Sequence, residues 1–469
     1  MNTRIQNASL AALLGIIVHF ACGYWLGYPF LTDVLAEWIM ARTPSHWALP
    51  LMDAMGDWAK PFAATGGLAI LGSALLFTML LGRAAFVFIM PVVAYALGYD
   101  SLPGLATFFL PAILFLVRPA KLQPISGRRQ LITSFAMTTG TAAVALEAFL
   151  REQRLAARST EARPLFPMRI PDSHLQWGDG LVRKPVTPLR EFYVMSKNTV
   201  DPAPEPANYR LNIQIDGRPL RSFSYNQLLN LPRQERYVSL RCVSNSLKSN
   251  LMGTGYWSGL TLDQLLRREE VPSNIVEMAV IGLDGHGDSY QLSYAFSGEP
   301  LFALGLNGDT LTRNHGFPIR MLSPKYYGFK SIKWIDRINF VSTPYSGTWP
   351  QLGYTKEPVI HPGAYIDKVR SNEATIQSGG IAYSGHGQVA QVQLRLLDNN
   401  KQPLTDWQPA TLEAPLSQQT FTRWIHTMPK HQAAQHLEAR IQDSSGRWQA
   451  TQEKPLFPDG VSGPTIRKI

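Results

Sequence analysis

The first 150 or so residues of this 469-residue chain contain apolar runs too long and too poor in charge to belong to a soluble domain, whereas the rest has mixed composition. A bilayer core is crossed by about 20 predominantly apolar residues. Such runs cover residues 9–30, 61–81, 84–98, 102–117 and 131–149, about five spans. The third and fourth are short enough to form one re-entrant pair instead. Residues 32–60 carry Trp38, Trp47 and Trp58 among polar neighbours and read either as an interfacial connection or as a plain loop.

Cation placement sets the orientation. The short loop with Arg118, Lys121, Arg128 and Arg129 is the most basic and is expected on the cytoplasmic side, while loops carrying Asp33, Glu37, Asp53, Asp57 and Asp100 face outward. Everything after about Arg151 then lies outside the cytoplasm. Arg151, Arg154 and Arg158 follow the last span directly and weaken the asymmetry. Arg128 and Arg129 ahead of an apolar run are similar to a twin-arginine export signal, or serve as a topology anchor; their internal position implies an uncleaved span. Only His19 lies within a span, so the two axial imidazoles of a membrane haem are missing.

The net charge of +10 is scattered, without a nucleic-acid-binding motif, and points to anionic lipid or an anionic small molecule. The two cysteines, Cys22 in an apolar run and Cys242 in the soluble part, are not placed to pair. Two cysteines also leave no room for a Cys-x-x-Cys-His site, so no haem held by this chain is expected.

Residues 151–188 read as a charged, proline-interrupted linker or surface wrap. Beyond them strands predominate: 211–215 before the Asp216-Gly217 turn, 237–240 running into Cys242, a helix over 262–268 and a strand over 274–281. Cys242 follows a strand directly, at a rim where loops gather, and Arg241 and Lys248 favour its thiolate. It is either an ordinary half-buried cysteine or a metal ligand.

A second cluster runs from Arg313 to Trp334. It brings His315, Arg320, Lys325, Lys330, Ser331 and Lys333 together with glycines, which suits a phosphate-bearing ligand. Neither a Walker loop nor a dinucleotide fingerprint is present. Strand candidates at 374–376, 380–384, 391–397, 421–426 and 436–442 fit an all-β, immunoglobulin-like sandwich over 366–469.

These segments resemble the sulfite oxidase family of molybdopterin enzymes. Cys242-Val243-Ser244-Asn245 with Trp257-Ser258-Gly259 and Leu262 is similar to the family's thiolate segment. His315 to Arg320 and Gly328 to Trp334 are similar to its pterin and phosphate segments. Phe192-Tyr193-Val194 with Ser196-Lys197-Asn198 is similar to its entry segment, and Asp284 falls where another pterin contact often lies. The resemblance implies a multidomain protein: a helical transmembrane bundle over 1–150, a linker over 151–188, an α+β molybdopterin domain over 189–365 and a dimerisation-type sandwich over 366–469.

It further implies Cys242 as the molybdenum ligand, with Tyr193, Val194, Asn198, Asn245, Asp284, His315, Arg320, Lys330, Ser331, Ile332 and Lys333 holding the molybdopterin, and Lys197 and Lys248 in place of substrate arginines. Certain bacterial membrane-tethered members share the arrangement, which implies an inner-membrane protein with its catalytic domain on the periplasmic side. The partners implied are lipid, a small oxo-bearing or oxo-accepting substrate, a cytochrome or quinone-linked electron carrier, and a second copy of the chain. Where the family has a tyrosine ahead of the Asn-Gly turn this chain has Leu304, which leaves oxidation of sulfite and reduction of a sulfoxide both open. The competing expectation is a membrane-tethered protein that kept the fold and lost the cofactor.

Overall fold

The computed structural model describes residues 162–197, 201–245 and 250–469. The five expected spans and the paired arginines lie outside these residues. Among the described residues no helix is long and apolar enough to cross a membrane. Residues 159–195 and 201–469 form one compact unit, described below; residues 196–200 group with 1–158 in a second.

Two five-stranded sheets build the first half of the described unit. One has the strand order Arg218–Ser224, Arg210–Ile215, Ile335–Val341, Glu277–Gly282, Gly287–Gln291, with a single parallel pairing between Arg210–Ile215 and Ile335–Val341. The other runs antiparallel through Gln234–Arg241, Met252–Leu260, Leu301–Leu306 and Asp309–Thr310, with Arg320–Leu322 paired to Leu301–Leu306. Because successive side chains of a strand point to opposite faces, Phe302 and Leu304 enter the core between the sheets while Leu301 and Ala303 face the other way. The central core joins Leu211, Ile213, Val280 and Ile338 of the first sheet to Leu260, Phe302 and Met321 of the second.

The far face of the second sheet is also covered, by Phe192 against Val238, Leu240 and Trp257. Double coverage is why all nine residues of Met252–Leu260 are buried although the run lacks strand-like alternation.

The second half of the unit is a pair of four-stranded antiparallel sheets. Gly363–Ser371, Thr375–Tyr383, Thr422–Pro429 and Thr411–Leu412 form one; Gln408–Pro409, Val389–Leu397, His436–Asp443 and Thr465–Lys468 form the other. Val392, Leu394, Leu396, Leu437, Ala439 and Ile441 alternate inward from the second sheet onto Trp424 and Ile376 of the first.

Local departures from the sequence expectations have local causes. The helix expected over 262–268 is a single turn, Leu262–Leu265, closed by the Leu266 N–H on the Leu262 carbonyl at 2.8 Å, because Leu265 and Leu266 are both drawn into the core. The strand expected from 274 begins at Glu277, since Pro272 starts a turn that the Ile275 N–H closes. The separate strands expected at 374–376 and 380–384 are one strand, Thr375–Tyr383. Its Gly379 and Gly380 are not a break. A β-carbon on Gly380 would lie 1.8 Å from the Tyr365 carbonyl oxygen, so the close approach of two strands requires glycine there.

The stretch after residue 162 is a wrap. Leu165 and Phe166 both donate to the Gly308 carbonyl, and Arg183 pairs with Asp367. Arg423 donates to the carbonyls of His174 and Trp177, both at 2.8 Å, with its guanidinium over the Trp177 ring. The edge strand Gln234–Arg241 is covered by 417–421: Ser239 donates to the Gln419 carbonyl at 2.9 Å, and Phe421 donates to the Ser239 hydroxyl at 3.0 Å.

Replacing Gly380 by alanine should therefore lower stability by about 3 kcal/mol, an overpacking effect. A thermal midpoint several degrees lower than wild type, read by circular dichroism, is the expected result.

Candidate functional site

Cys242 is the first residue past the strand Gln234–Arg241, and its place follows from strand periodicity. Val238 and Leu240 face the layer that contains Phe192 and Trp257, so Ser239 and Arg241 face the opposite way, toward the C-terminal sheets. The ladder continues for one residue, with the Cys242 N–H on the Leu251 carbonyl at 2.9 Å. A loop then closes through the Asn245 N–H on the Cys242 carbonyl at 3.1 Å and the Leu251 N–H on Asn245 Oδ1 at 2.6 Å. Asn245 is fully buried and holds the loop rather than presenting itself to solvent.

The thiol is buried. Burial pushes the Cys242 thiol up, while hydrogen bonds from Ser244 and the Arg241 charge pull it down. The expected pull of Arg241 toward the thiolate is present, but burial opposes it as the largest influence.

Two guanidiniums are buried in this half of the unit, Arg241 directly before Cys242 in the chain and Arg320 in the strand Arg320–Leu322. Arg241 lies between the Tyr327 and Tyr365 rings, 5.1 and 5.2 Å from their centroids, and reaches the carbonyls of Asn245 and Val461 only at 3.3 and 3.5 Å. Arg320 lies 5.4 Å from the Trp257 ring centroid and donates to the carbonyls of His315 and Ser331 at 3.2 and 3.3 Å. Both Nε atoms are buried without a hydrogen-bond partner, and among the described residues no carboxylate pairs with either cation. Burial brings Arg320 down to about 10. A buried cation without a counter-charge is costly, so the donor set at Arg320 fits an anionic group, whereas, against the pull of burial, the Tyr327 and Tyr365 rings and Cys242 hold Arg241 in its charged form.

Tyr193 and His315 complete this side. Phe192 stacks on Tyr193 at 5.8 Å and meets the His315 ring edge-on at 5.6 Å. The Tyr193 hydroxyl lies against Gly328, and burial with the charge of Cys242 raises its pKa. Burial, Arg320 and Lys333 push His315 down to about 3, so its imidazole is neutral at neutral pH. Gly316, at φ +101°, is required twice over: for its left-handed backbone, and because a β-carbon there would lie 3.0 and 3.1 Å from the β-carbons of Lys333 and Arg320.

The other candidates are distributed unequally. Lys333 donates to the Asn314 carbonyl at 3.0 Å with its ammonium over the Trp334 ring, beside Gly316. Ser331 accepts from the Ser323 N–H at 3.1 Å. Ile332 is a core side chain whose carbonyl accepts from Met321. Asp284 holds its turn through the His286 N–H at 3.1 Å, and that turn is tied to Trp334 by the Leu283 N–H. Val194 is exposed. Lys197 is half-buried and groups with residues 1–158, apart from the unit that carries Cys242. Asn198 and Lys248 lie outside the described residues.

Lys330 is placed where its charge is already used. Its ammonium is 1% exposed and donates to Asp288 Oδ1 at 2.9 Å, the Ser289 carbonyl at 2.7 Å and the Lys356 carbonyl at 2.9 Å. Three donors thus meet three acceptors. Leu304, at the position of the family's tyrosine, is fully buried between the sheets.

Sequence reading placed Tyr327 inside the cationic cluster without a role of its own, and missed Tyr354, Tyr365 and the segment around Val461. Each reaches the Cys242 loop from more than eighty residues away, and nothing local marks them.

Residues 198–349 match the family model described as an oxidoreductase molybdopterin binding domain. The mitochondrial sulfite oxidase of Drosophila melanogaster is 26% identical over 250 residues, covering 43% of this chain and 43% of that protein. The mitochondrial sulfite oxidase of Homo sapiens is 27% identical over 249 residues, 43% of this chain and 45% of that protein. The chain thus spans less than half the length of these two relatives. The crystal structure of the sulfane dehydrogenase SoxCD from Paracoccus pantotrophus superposes with a TM-score of 0.49 at 19% identity, over 61% of this chain and 84% of that one.

Two outcomes are expected. Lys330→Met should strand the Asp288 carboxylate and lower stability by about 3–5 kcal/mol, with the double variant Lys330→Met/Asp288→Asn recovering part of the loss in denaturant titration. His315 carries a folded-state pKa below its ordinary value, so its contribution is complete above about pH 6.5 and is lost as pH falls toward 3. Melting curves of His315→Gln across that window should show a shallower acid loss than wild type.

Proposed function

We propose that this chain, a molybdopterin-dependent oxidoreductase of the sulfite oxidase family, catalyses two-electron oxo-group transfer on a small substrate at a centre carried by Cys242. The observation that carries the reading is the pair of buried guanidiniums, Arg241 next to Cys242 in the chain and Arg320 beside Tyr193 and His315, neither of which meets a carboxylate among the described residues. A metal-bearing, phosphate-bearing group supplies the missing negative charge, and a scaffold that had lost it would retain the desolvation cost without return.

When bound, the molybdenum cofactor supplies the two-electron redox change that no side chain can undergo. The residues of the chain do the rest. Cys242 would hold the metal from the buried end of the strand Gln234–Arg241, which pairs with the fully buried strand Met252–Leu260, a rigid support. Arg320, with its free Nε, and Lys333, beside Gly316, pair with the anionic part of the pterin. His315 is neutral and offers its ring to a hydrogen bond without adding a third charge beside Arg320. Tyr193 closes the centre next to Cys242. Ser331 and Asp284 shape the backbone around Lys333 and Trp334, and Lys330 braces the fold from behind.

The finer reading extends to the rest of the chain. Residues 1–150 anchor it in a bacterial inner membrane through about five spans, with the catalytic domain on the periplasmic side; the apolar runs and the cation-rich loop around Arg128 support this. Electrons pass to or from a cytochrome or a quinone-linked carrier, since two cysteines provide no haem attachment site in this chain. Lys197, Asn198 and Lys248 serve the substrate and the cofactor edge. The immunoglobulin-like reading of 366–469 supports pairing with a second copy.

Cys242→Ser tests the assignment. With molybdenum measured by mass spectrometry after expression in a host that makes the cofactor, wild type should hold roughly one metal per chain. The variant should lose turnover by more than about a thousandfold while retaining a larger share of its pterin, because a ligand replaced by a hydroxyl impairs the centre more than the surrounding cations. Wild-type protein free of molybdenum would overturn the reading.

A further inference from the structure

Cys242 has a second set of neighbours, and it is aromatic. Val243 packs in one apolar cluster with Met252 and Tyr327, against which Phe329 and Tyr354 lie half-buried. From Tyr354 the rings continue outward. Phe329 is 6.0 Å and Trp349 5.6 Å from it, Phe329 and Trp349 are 6.3 Å apart, and Phe457 meets Tyr354 edge-on at 5.2 Å.

These four rings come from three separate stretches of chain. Phe329 belongs to the cationic cluster, Trp349 and Tyr354 to the helix Thr348–Gln351 and the loop after it, and Phe457 to the connection between the strands His436–Asp443 and Thr465–Lys468. The assembly is held by backbone. Tyr354 donates to the Trp349 carbonyl at 3.2 Å and Thr355 to the Pro458 carbonyl at 3.1 Å. Gly353, at φ +93°, brings the chain so close that a β-carbon would lie 3.0 Å from the Phe457 ring. Three residues on, Gly460 presses on the Tyr327 ring and Val461 offers its carbonyl to Arg241.

Rings that only filled a core would be covered. Phe457 is 47% exposed and Leu352, the residue before Gly353, is 38% exposed, so an apolar surface stays open at the outer end of this ring set. Among the described residues no cation lies over any of the four rings; Arg241 lies over the Tyr327 and Tyr365 rings instead, and Asp459, 42% exposed, lies 3.4 Å from His361. The cationic side, at Arg320, His315 and Lys333, is the side given to the cofactor above.

We propose that Phe329, Trp349, Tyr354 and Phe457 form the substrate-facing wall of the Cys242 centre and select neutral oxo compounds that carry an aryl or branched apolar group beside the oxo-bearing atom. Phe457 is a specificity-determining residue supplied by the C-terminal part of the chain. The inference rests on the function proposed above and narrows its substrate class.

The test is equilibrium binding to the full-length holoenzyme, by calorimetry, of methyl phenyl sulfoxide and dimethyl sulfoxide, with molybdenum content measured on the same sample. Wild type should bind the phenyl compound about tenfold more tightly, the effect of burying one ring against an apolar wall. Phe457→Ala or Trp349→Leu should reduce that ratio to about threefold or less at unchanged molybdenum content, and Phe457→Leu should retain most of it. A fall in either of the first two variants supports the wall. A wild-type ratio near one, or a ratio unmoved in both variants, overturns it while leaving the enzyme assignment intact. Absence of molybdenum from the wild type instead overturns the assignment on which the inference rests.

Discussion

Two guanidiniums buried with no carboxylate partner among the described residues organise this part of the molecule. Isolated ions taken out of water are among the most expensive features a fold can contain, and natural structures pair them or place them where a ligand will. Arg241 and Arg320 are each over nine-tenths buried, held by long bonds to carbonyls, by aromatic faces and, for Arg241, by the Tyr327 hydroxyl at 3.4 Å. Lys330 shows the alternative within the same fold: an equally buried cation, close in sequence, satisfied by Asp288 and two carbonyls. The contrast separates a cation that braces the structure from one, Arg320, that awaits an anion.

Placing such charges demands a rigid support, and the second sheet provides it. Its central strand is covered on both faces, by the core around Phe302 on one side and by Phe192 with Trp257 on the other. The period-two geometry of Gln234–Arg241 sends Arg241 toward the C-terminal sheets. Tyr365 and the Val461 carbonyl meet it there, so the C-terminal half of the unit finishes a site begun by the first half. The covering of that edge strand by 417–421 ties the two halves along the same line.

Much of the centre was legible along the chain. A cysteine directly after an alternating strand, and a run of glycines and cations from Arg313 to Trp334, mark their own chemistry because the residues that share a task are neighbours in sequence. Tyr193 was legible for the same reason, through the short aromatic segment that holds it. Lys330 was misleading: its charge reads identically in a sequence whether it faces a ligand or Asp288, and only the partner forty-two residues away separates the two. Tyr354 and Phe457 left no trace, since an aromatic residue in a loop carries no signal of what it will face.

The sequence alone determined what depends on period and composition: apolar runs of membrane length, strands from alternation, a lone soluble cysteine and a cluster of cations. Tertiary structure decided what depends on distance between remote segments: which guanidiniums stay unpaired, which lysine is spent, and which rings stand open. The physical reason is that burial and pairing are properties of a place in three dimensions. A residue's chemistry is written where it stands in the chain, but its charge state, partner and exposure are fixed by atoms the chain brings back from far away.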